Sequence, residues 1–212
     1  MKNNTKSLIL VLRFALKIRI KYKQRLNKIS LDKEELNIVL NCKKGKNKYK
    51  ESLYKYYYSF GISISLRYSY SKEECIEILN DSFIKVFDKI KSFDENQEFR
   101  AWFRRIIINT AIDYYRKNSK IKAFLDFESD EIIESDAISR LSVEDILSLL
   151  NRLPEIYRIT FNLYEIEGYS HEEIANILET TASTSRANLS RAKKMLREAY
   201  INLNKLSYNE AI

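Results

Sequence analysis

A chain of 212 residues with only three glycines and one proline has few places to turn. Glycine supplies the left-handed backbone that tight turns, bulges and phosphate-binding loops require, and proline punctuates helices and sheets. Here Gly45, Gly61 and Gly168 stand far apart and form no GxGxxG or GxxxxGK pattern, which argues against dinucleotide-binding and P-loop folds. With 45% apolar and 31% charged residues, the rest of the chain can build a core from amphipathic helices. The expected fold class is all-α, as one large domain or two small helical domains on a tether.

Cys42 and Cys75 match no CxxC or Cys/His ligand spacing, so the sequence implies no metal site and no disulfide framework. It implies no cofactor either, and it suits a reducing, cytoplasmic setting. The most apolar N-terminal stretch, residues 7–20, is interrupted by Arg13, Lys17 and Arg19. It falls short of the roughly 20 residues of a membrane span and lacks the cleavage site of a secretory signal, so no integral membrane segment is expected. His171 is the one histidine, with no nucleophile patterned beside it, and reads as a first-turn surface residue rather than a catalyst. The chain is not expected to be an enzyme or to take a small-molecule substrate.

The formal net charge of +8 conceals a strong segregation. Residues 1–50 carry 15 Lys and Arg against 3 acids, a basic arm, whereas six of the thirteen residues 124–136 are acidic. Near the C-terminus, Arg186, Arg191, Lys193, Lys194 and Arg197 follow one another without an intervening acid, just after Glu165, Glu167, Glu172 and Glu173. A polyanion such as nucleic acid would explain clustered cations, since each neutralised phosphate releases counterions; a solvated helix face is the bland alternative.

Apolar residues recur at helical spacing in several stretches. In residues 73–91 they are Ile76, Leu79, Phe83, Val86, Phe87 and Ile90, preceded by a Ser71/Glu74 capping pair. In residues 98–117 they are Phe99, Trp102, Phe103, Ile106, Ile107, Thr110 and Tyr114. Residues 48–69 are also helical in period and rich in tyrosine. These three helices form one expected unit. The period fades after Asn118, and the acidic stretch that follows reads as a flexible linker. Helix resumes near residue 142, with Ser142 and Asp145 as its start. Pro154 suits a first helical turn, Gly168 a helix end, and Ser170/Glu173 a second capping box ahead of a two-turn helix from His171 to Leu178. Thr181 can cap a longer helix reaching about Tyr200.

A short helix, a tight turn and a longer basic helix make the helix-turn-helix plan, whose second helix enters the DNA major groove. Ile174, Ala175, Leu178, Leu189 and Leu196 are expected to face the core. Ser183, Thr184, Arg186, Asn188 and Arg191 are expected on the exposed N-terminal half of the second helix. Arginine can grip guanine and asparagine adenine through two hydrogen bonds, so Arg186 and Asn188 have base-reading chemistry. Arg191, Lys193 and Lys194 lie where phosphate contact is expected.

Two separate stretches then point to one family. The run from Cys75 to Phe87 resembles the core-binding segment of sigma region 2, and the run from Phe99 to Lys117, with its Trp, Asn, Asp and Arg-Lys, resembles the promoter-melting segment. Leu153 to Arg158, Tyr169 to Leu178 and Thr184 to Ala192 resemble sigma region 4, with wording similar to the Bacteroidota variety. The chain thus resembles an extracytoplasmic-function (ECF) sigma factor of bacterial RNA polymerase over residues 31–200. Asn80 and Asn188 depart from the family's usual Gln and basic residue.

The resemblance implies two small helical domains, region 2 at residues 31–117 and region 4 at 141–205, joined by an acidic linker at 118–140. A basic extension, residues 1–30, and a tail, residues 206–212, flank them. It also implies binding to core RNA polymerase and promoter DNA, with an anti-sigma factor as a partner the family admits. The minus-ten element would be read through residues 94–117 by Phe99, Arg100, Trp102, Arg105, Asn109, Asp113, Arg116 and Lys117. Aromatic stacking and cationic contacts there can hold an unpaired strand at about 1–3 kcal/mol per stacked base. For Trp102 a core role competes, and Asp113 could instead position a neighbouring cation. The minus-thirty-five element would be read through residues 181–194 by Ser183, Thr184, Arg186, Asn188, Arg191, Lys193 and Lys194. Core polymerase would dock on Glu77, Asn80, Asp81 and Phe83. The competing reading is an autonomous helix-turn-helix repressor or activator, which would bind duplex DNA tightly without polymerase. A nucleic-acid-processing enzyme with Glu77 and Asp81 as metal ligands is a weaker third.

Overall fold

The computed structural model describes residues 33–125 and 143–209, with side chains at 33–118 and 147–202. Every regular element among them is helical. The described residues fall into two compact units, one within 33–125 and one within 143–209. The expected extension 1–30, residues 126–140 of the acidic linker and the Ser142 helix start lie outside the described residues.

The first unit contains α1 (Lys33–Lys43), α2 (Asn47–Ser65), α3 (Lys72–Lys89) with a 3₁₀ turn at Ile90–Ser92, and α4 (Phe99–Leu125). Helix α1 lies at the start of the span expected of region 2, although the sequence reading assigns it no helical period. It buries Glu35, Ile38, Val39 and Cys42. Lys33, Lys43 and the cationic loop after it stay on the periphery, so the cation-rich first fifty residues mask a stripe of three apolar residues, Ile38, Val39 and Cys42. Gly45, at φ +79°, turns the chain from α1 into α2, where its N–H bonds the Cys42 carbonyl at 2.9 Å. Ser71 caps α3 by accepting from the Glu74 N–H, but Glu74 reaches back to the Tyr70 N–H rather than to Ser71, so the box is displaced by one residue.

Helices α2, α3 and α4 pack on one another around Leu53, Tyr57, Ile64, Ile78, Leu79, Phe83, Val86, Phe103 and Ile107, all at most 2% exposed. Each such side chain contributes about 1.5–3 kcal/mol of burial. Gly61 lets α2 and α3 approach: a methyl there would run into the Leu79 side chain. Helix α4 continues to Leu125, eight residues past Lys117, where the linker was expected. The added stretch holds no glycine or proline, and once nucleated a helix propagates through Lys, Ala and Leu at little cost.

The second unit contains α5 (Val143–Asn151), α6 (Glu155–Phe161) running into a π-helical turn (Asn162–Glu167), α7 (His171–Leu178) and α8 (Ala182–Asn209). Pro154 is the N-cap of α6 rather than its first helical residue, and its carbonyl accepts from Tyr157 and Arg158 at 2.9 and 3.0 Å. Gly168, at φ +83°, ends the π turn in the left-handed conformation. Both halves of the Ser170/Glu173 capping box form. Leu149, Leu150, Leu153, Phe161, Leu189, Ala192 and Leu196 make the core of α5, α6 and α8. Arg158, fully enclosed, reaches Asn151 Oδ1 at 3.0 Å and so ties α6 to the end of α5.

Candidate nucleic-acid and polymerase interfaces

In the first unit, the period of α4 separates a packed side from an exposed row. Phe99, Phe103, Ile107, Ala111 and Ile112 are buried, and Arg105, Asn109, Asp113 and Lys117 follow one another every fourth residue on the exposed ridge. Asp113 pairs with Lys85 of α3 at 2.8 Å, so the cation it engages is a lysine across the helix pair. The guanidinium of Arg100 lies over the Phe60 ring at 5.0 Å and the Tyr57 ring at 5.9 Å, which spends part of its charge on aromatic faces. Trp102 is half-buried beside Phe93 and Phe99, with centroids 5.0 and 5.4 Å away. Arg116 is half-buried on the same helix.

Phe99 does not belong with the contact residues. It is 3% exposed among Tyr57, Phe93, Trp102 and Phe103, and its ring has no free face for a base. Phe83 is corrected on the same ground: it is 2% exposed and packs at a tilt against Tyr54 and Phe103, ring centroids 4.6 and 4.7 Å away. The side chain that α3 turns outward is its neighbour Ile84, 57% exposed. It lies with Glu77, Asn80, Asp81 and Asp88 on one exposed face, and Asn80 Oδ1 accepts from Tyr54 Oη at 3.1 Å. Ile84 was legible as an apolar residue off the stripe, i+4 from Asn80 and i+7 from Glu77.

In the second unit, α7 and α8 pack together across a turn containing Glu179, whose φ of +52° is left-handed without being glycine. Thr181 caps α8 as expected, accepting from the Thr184 N–H at 3.0 Å. Ile174, Ala175, Leu189 and Leu196 are buried and Leu178 half-buried. Ser183, Thr184, Arg186, Arg191 and Lys194 are exposed, together with Ala187 and Ser190, which the sequence reading passed over and which continue the same row at i+3 and i+4.

Asn188 is the exception. At 6% exposed it sits on the packed side with Ser185, Leu189 and Ala192, one step of about 100° away from the outward row, and cannot read a base edge there. Lys193 is half-buried and bonded to Glu165 at 2.7 Å. Arg191 Nη1 donates to Tyr157 Oη at 3.3 Å, and Arg186 faces Glu172 at 3.7 Å with both ends more than half exposed. His171, in the first turn of α7, stacks on Tyr164 and bonds Ser185 Oγ at 2.9 Å. Burial first, then the cations Arg186 and Lys193, lower its pKa below the ordinary histidine value. Among the described residues no group of three or more His, Cys, Asp or Glu is placed to hold a metal ion, and no helix is long and apolar enough to cross a membrane.

Two helical units, the second with a capped two-turn helix packed on a long cationic one, define a helix-turn-helix protein. The family model described as "Sigma-70 region 2" matches residues 53–121, and "Sigma-70, region 4" matches residues 143–196. Among similar proteins, RNA polymerase sigma factor SigV of Bacillus subtilis (strain 168) is 28% identical over 130 residues, 61% of this chain and 78% of that protein. ECF RNA polymerase sigma factor SigW of the same organism is 30% identical over 140 residues, 59% of this chain and 74% of that protein. The sigma factor RpoE from Bartonella quintana, solved with the anti-sigma factor NepR, superimposes with a TM-score of 0.47 at 22% identity, over 70% of this chain and 94% of that one.

The chain belongs to the ECF sigma factors of RNA polymerase. It is a transcription initiation factor, binding core polymerase and directing it to promoters.

Proposed function

We propose that the work is divided among three exposed faces, in the cytoplasm where the polymerase acts. The α4 ridge of Arg105, Asn109 and Lys117, with Arg100, Trp102 and Arg116 beside it, holds the minus-ten element and the strand released as the duplex opens. Cations on such a ridge contact backbone phosphates, while the half-exposed indole of Trp102 offers a stacking edge. Asp113, paired to Lys85, fixes a cation next to that ridge.

The outward row of α8, with Ser183, Thr184, Arg186, Ala187, Ser190, Arg191 and Lys194, enters the major groove at the minus-thirty-five element. Arg186 supplies base reading there and Arg191 and Lys194 supply phosphate contact. The acidic face of α3, centred on Ile84 with Glu77, Asn80 and Asp81, docks on core polymerase. An exposed isoleucine rimmed by carboxylates has the form of an interface anchor: an apolar centre to be desolvated and charges to orient the partner. The chain between Leu125 and Val143 joins the units in sequence. Either DNA-binding face alone is modest, and the polymerase, by fixing their separation, turns two weak contacts into one strong one.

The exposure of Ile84 among Glu77, Asn80 and Asp81, where Phe83 is enclosed, makes this face a protein-docking surface and supports the polymerase assignment. In vitro transcription with bacterial core polymerase on a promoter library tests the whole. Initiation should depend on this chain, and the free protein should bind promoter duplex weakly. Tight autonomous operator binding would favour the repressor. Arg186→Ala should change which promoters are used while core binding is kept; equal loss of both would contradict the recognition-helix role.

A further inference from the structure

The cations of α8 do not form one population. Arg191 and Lys194 are exposed, and Arg186 meets Glu172 only at 3.7 Å with the two side chains 56% and 71% exposed, an ion pair worth little in water. Lys193 is different. Its Nζ lies 2.7 Å from Glu165 Oε1, with the two side chains only 27% and 15% exposed, and 5.9 Å over the Tyr164 ring. Tyr164 in turn stacks on His171, centroids 4.4 Å apart at 20°. His171 Nδ1 meets Ser185 Oγ at 2.9 Å, and Ser185 is fully buried on α8. The π-helical turn therefore touches α8 directly at Lys193 and, through Tyr164 and the start of α7, again at Ser185. These two points lie about 12 Å apart along the helix axis. Held at two points, a helix cannot pivot against its support.

We infer that Lys193 is a positioning residue rather than a phosphate contact: with Glu165 and Tyr164 it clasps the recognition helix to the π-helical turn and sets the angle at which Arg186 and its neighbours meet DNA. Reaching a phosphate would require Lys193 to leave a short, largely covered ion pair and strand the Glu165 carboxylate without its partner, a cost that exposed Lys194, next in the chain, does not bear. The inference rests on α8 being the recognition helix, and it removes Lys193 from the phosphate-contacting set the sequence suggested.

The two roles predict opposite behaviour of Glu165. The experiment compares holoenzymes carrying the full chain as wild type, K193Q, E165Q, the charge-swapped pair K193E with E165K, and R186A. Binding to promoter fragments is measured across a range of salt concentrations. For a clasp, K193Q and E165Q each weaken binding by about three- to tenfold, leave the slope of log affinity against log salt unchanged, and are rescued by the swapped pair. For a phosphate contact, K193Q lowers that slope by about one, E165Q binds as well as wild type or better, and the swapped pair is worse than K193Q. Any of those three results overturns the proposal. R186A separates the levels: unchanged promoter choice would defeat the recognition-helix assignment itself. Thermal unfolding of the same variants of the free chain still decides the clasp, since strictly additive losses, with no recovery in the swapped pair, overturn it whatever the polymerase does.

Discussion

Tyr57 of α2 donates its phenolic hydrogen bond to the carboxylate of Glu35 on α1, and both side chains are enclosed, at 0% and 5% exposure. Burial first, and then the hydrogen bond to Glu35, push the Tyr57 pKa far above the ordinary phenol value, so the hydroxyl stays a donor at any working pH. The pair docks the first helix onto the aromatic core.

Replacing Tyr57 by Phe keeps the ring and leaves the Glu35 carboxylate without this donor. An unsatisfied buried acceptor costs about 1–3 kcal/mol, so urea unfolding of Tyr57→Phe should show a loss in that range. Glu35→Leu in the Tyr57→Phe background should recover part of it. A loss under 0.5 kcal/mol would mean that α1 is held by its apolar stripe alone.

Phe83 and Ile84 are neighbours in sequence with opposite fates. Phe83→Ala should destabilise the chain by about 3–5 kcal/mol, because a core aromatic leaves a cavity that its neighbours cannot close. Ile84→Ala should change stability by no more than about 0.5 kcal/mol and weaken association with core polymerase by about tenfold or more. Chemical unfolding and a polymerase-binding titration on the same two proteins distinguish them.

Glu179 holds a left-handed backbone at the turn between α7 and α8, a conformation that costs a side-chain-bearing residue about 1–2 kcal/mol. Glu179→Gly removes that strain but adds freedom to the unfolded chain, for a net gain of about 0.5–1 kcal/mol. A raised Tm with unchanged promoter choice is expected. A lowered Tm would show that the carboxylate contributes more than the backbone costs.

His171 has a folded pKa below its unfolded value, mainly through burial and then through Arg186 and Lys193. The unfolded chain therefore binds the proton more readily. The histidine's contribution is complete above about pH 6.5 and is lost as pH falls from there through the depressed folded value. His171→Asn should flatten stability against pH over pH 5–7. The wild type should lose affinity for minus-thirty-five DNA in the same interval, beyond any change in the variant, because a charged ring between Arg186 and Lys193 disturbs the seat of α8.

Cys42 and Cys75 are each 1% exposed, and burial raises the pKa of both thiols. A thiol reagent should label neither in the folded chain faster than the first unit opens, so the labelling rate should follow denaturant as unfolding does. Rapid labelling of one cysteine in native buffer would reveal local opening of the helix that carries it.

Most of the helical design was legible because it is local. The displaced box at Ser71 and the complete one at Ser170/Glu173, the Thr181 cap and the Gly168 stop each depend on residues within one turn, and Pro154 stands one position ahead of the first helical turn expected for it. Helix α1 escaped because the fifteen cations of the first fifty residues mark that whole stretch as a basic arm, while its own packing depends on Tyr57, twenty-two residues away from Glu35.

Scarcity of glycine and proline together with helical periodicity determined by themselves that this chain is helical, and two ordered motifs determined its family. Periodicity, however, fixes a helix face only to within about one residue step, roughly 100°. Periodicity already puts Phe83 and Phe99 on the apolar stripe and Ile84 off it, but whether Asn188 lies in or out and which cation of α8 is tied to Glu165 depend on where the neighbouring helices lie. Only the packed structure decides that, because those contacts join residues that the linear pattern keeps apart.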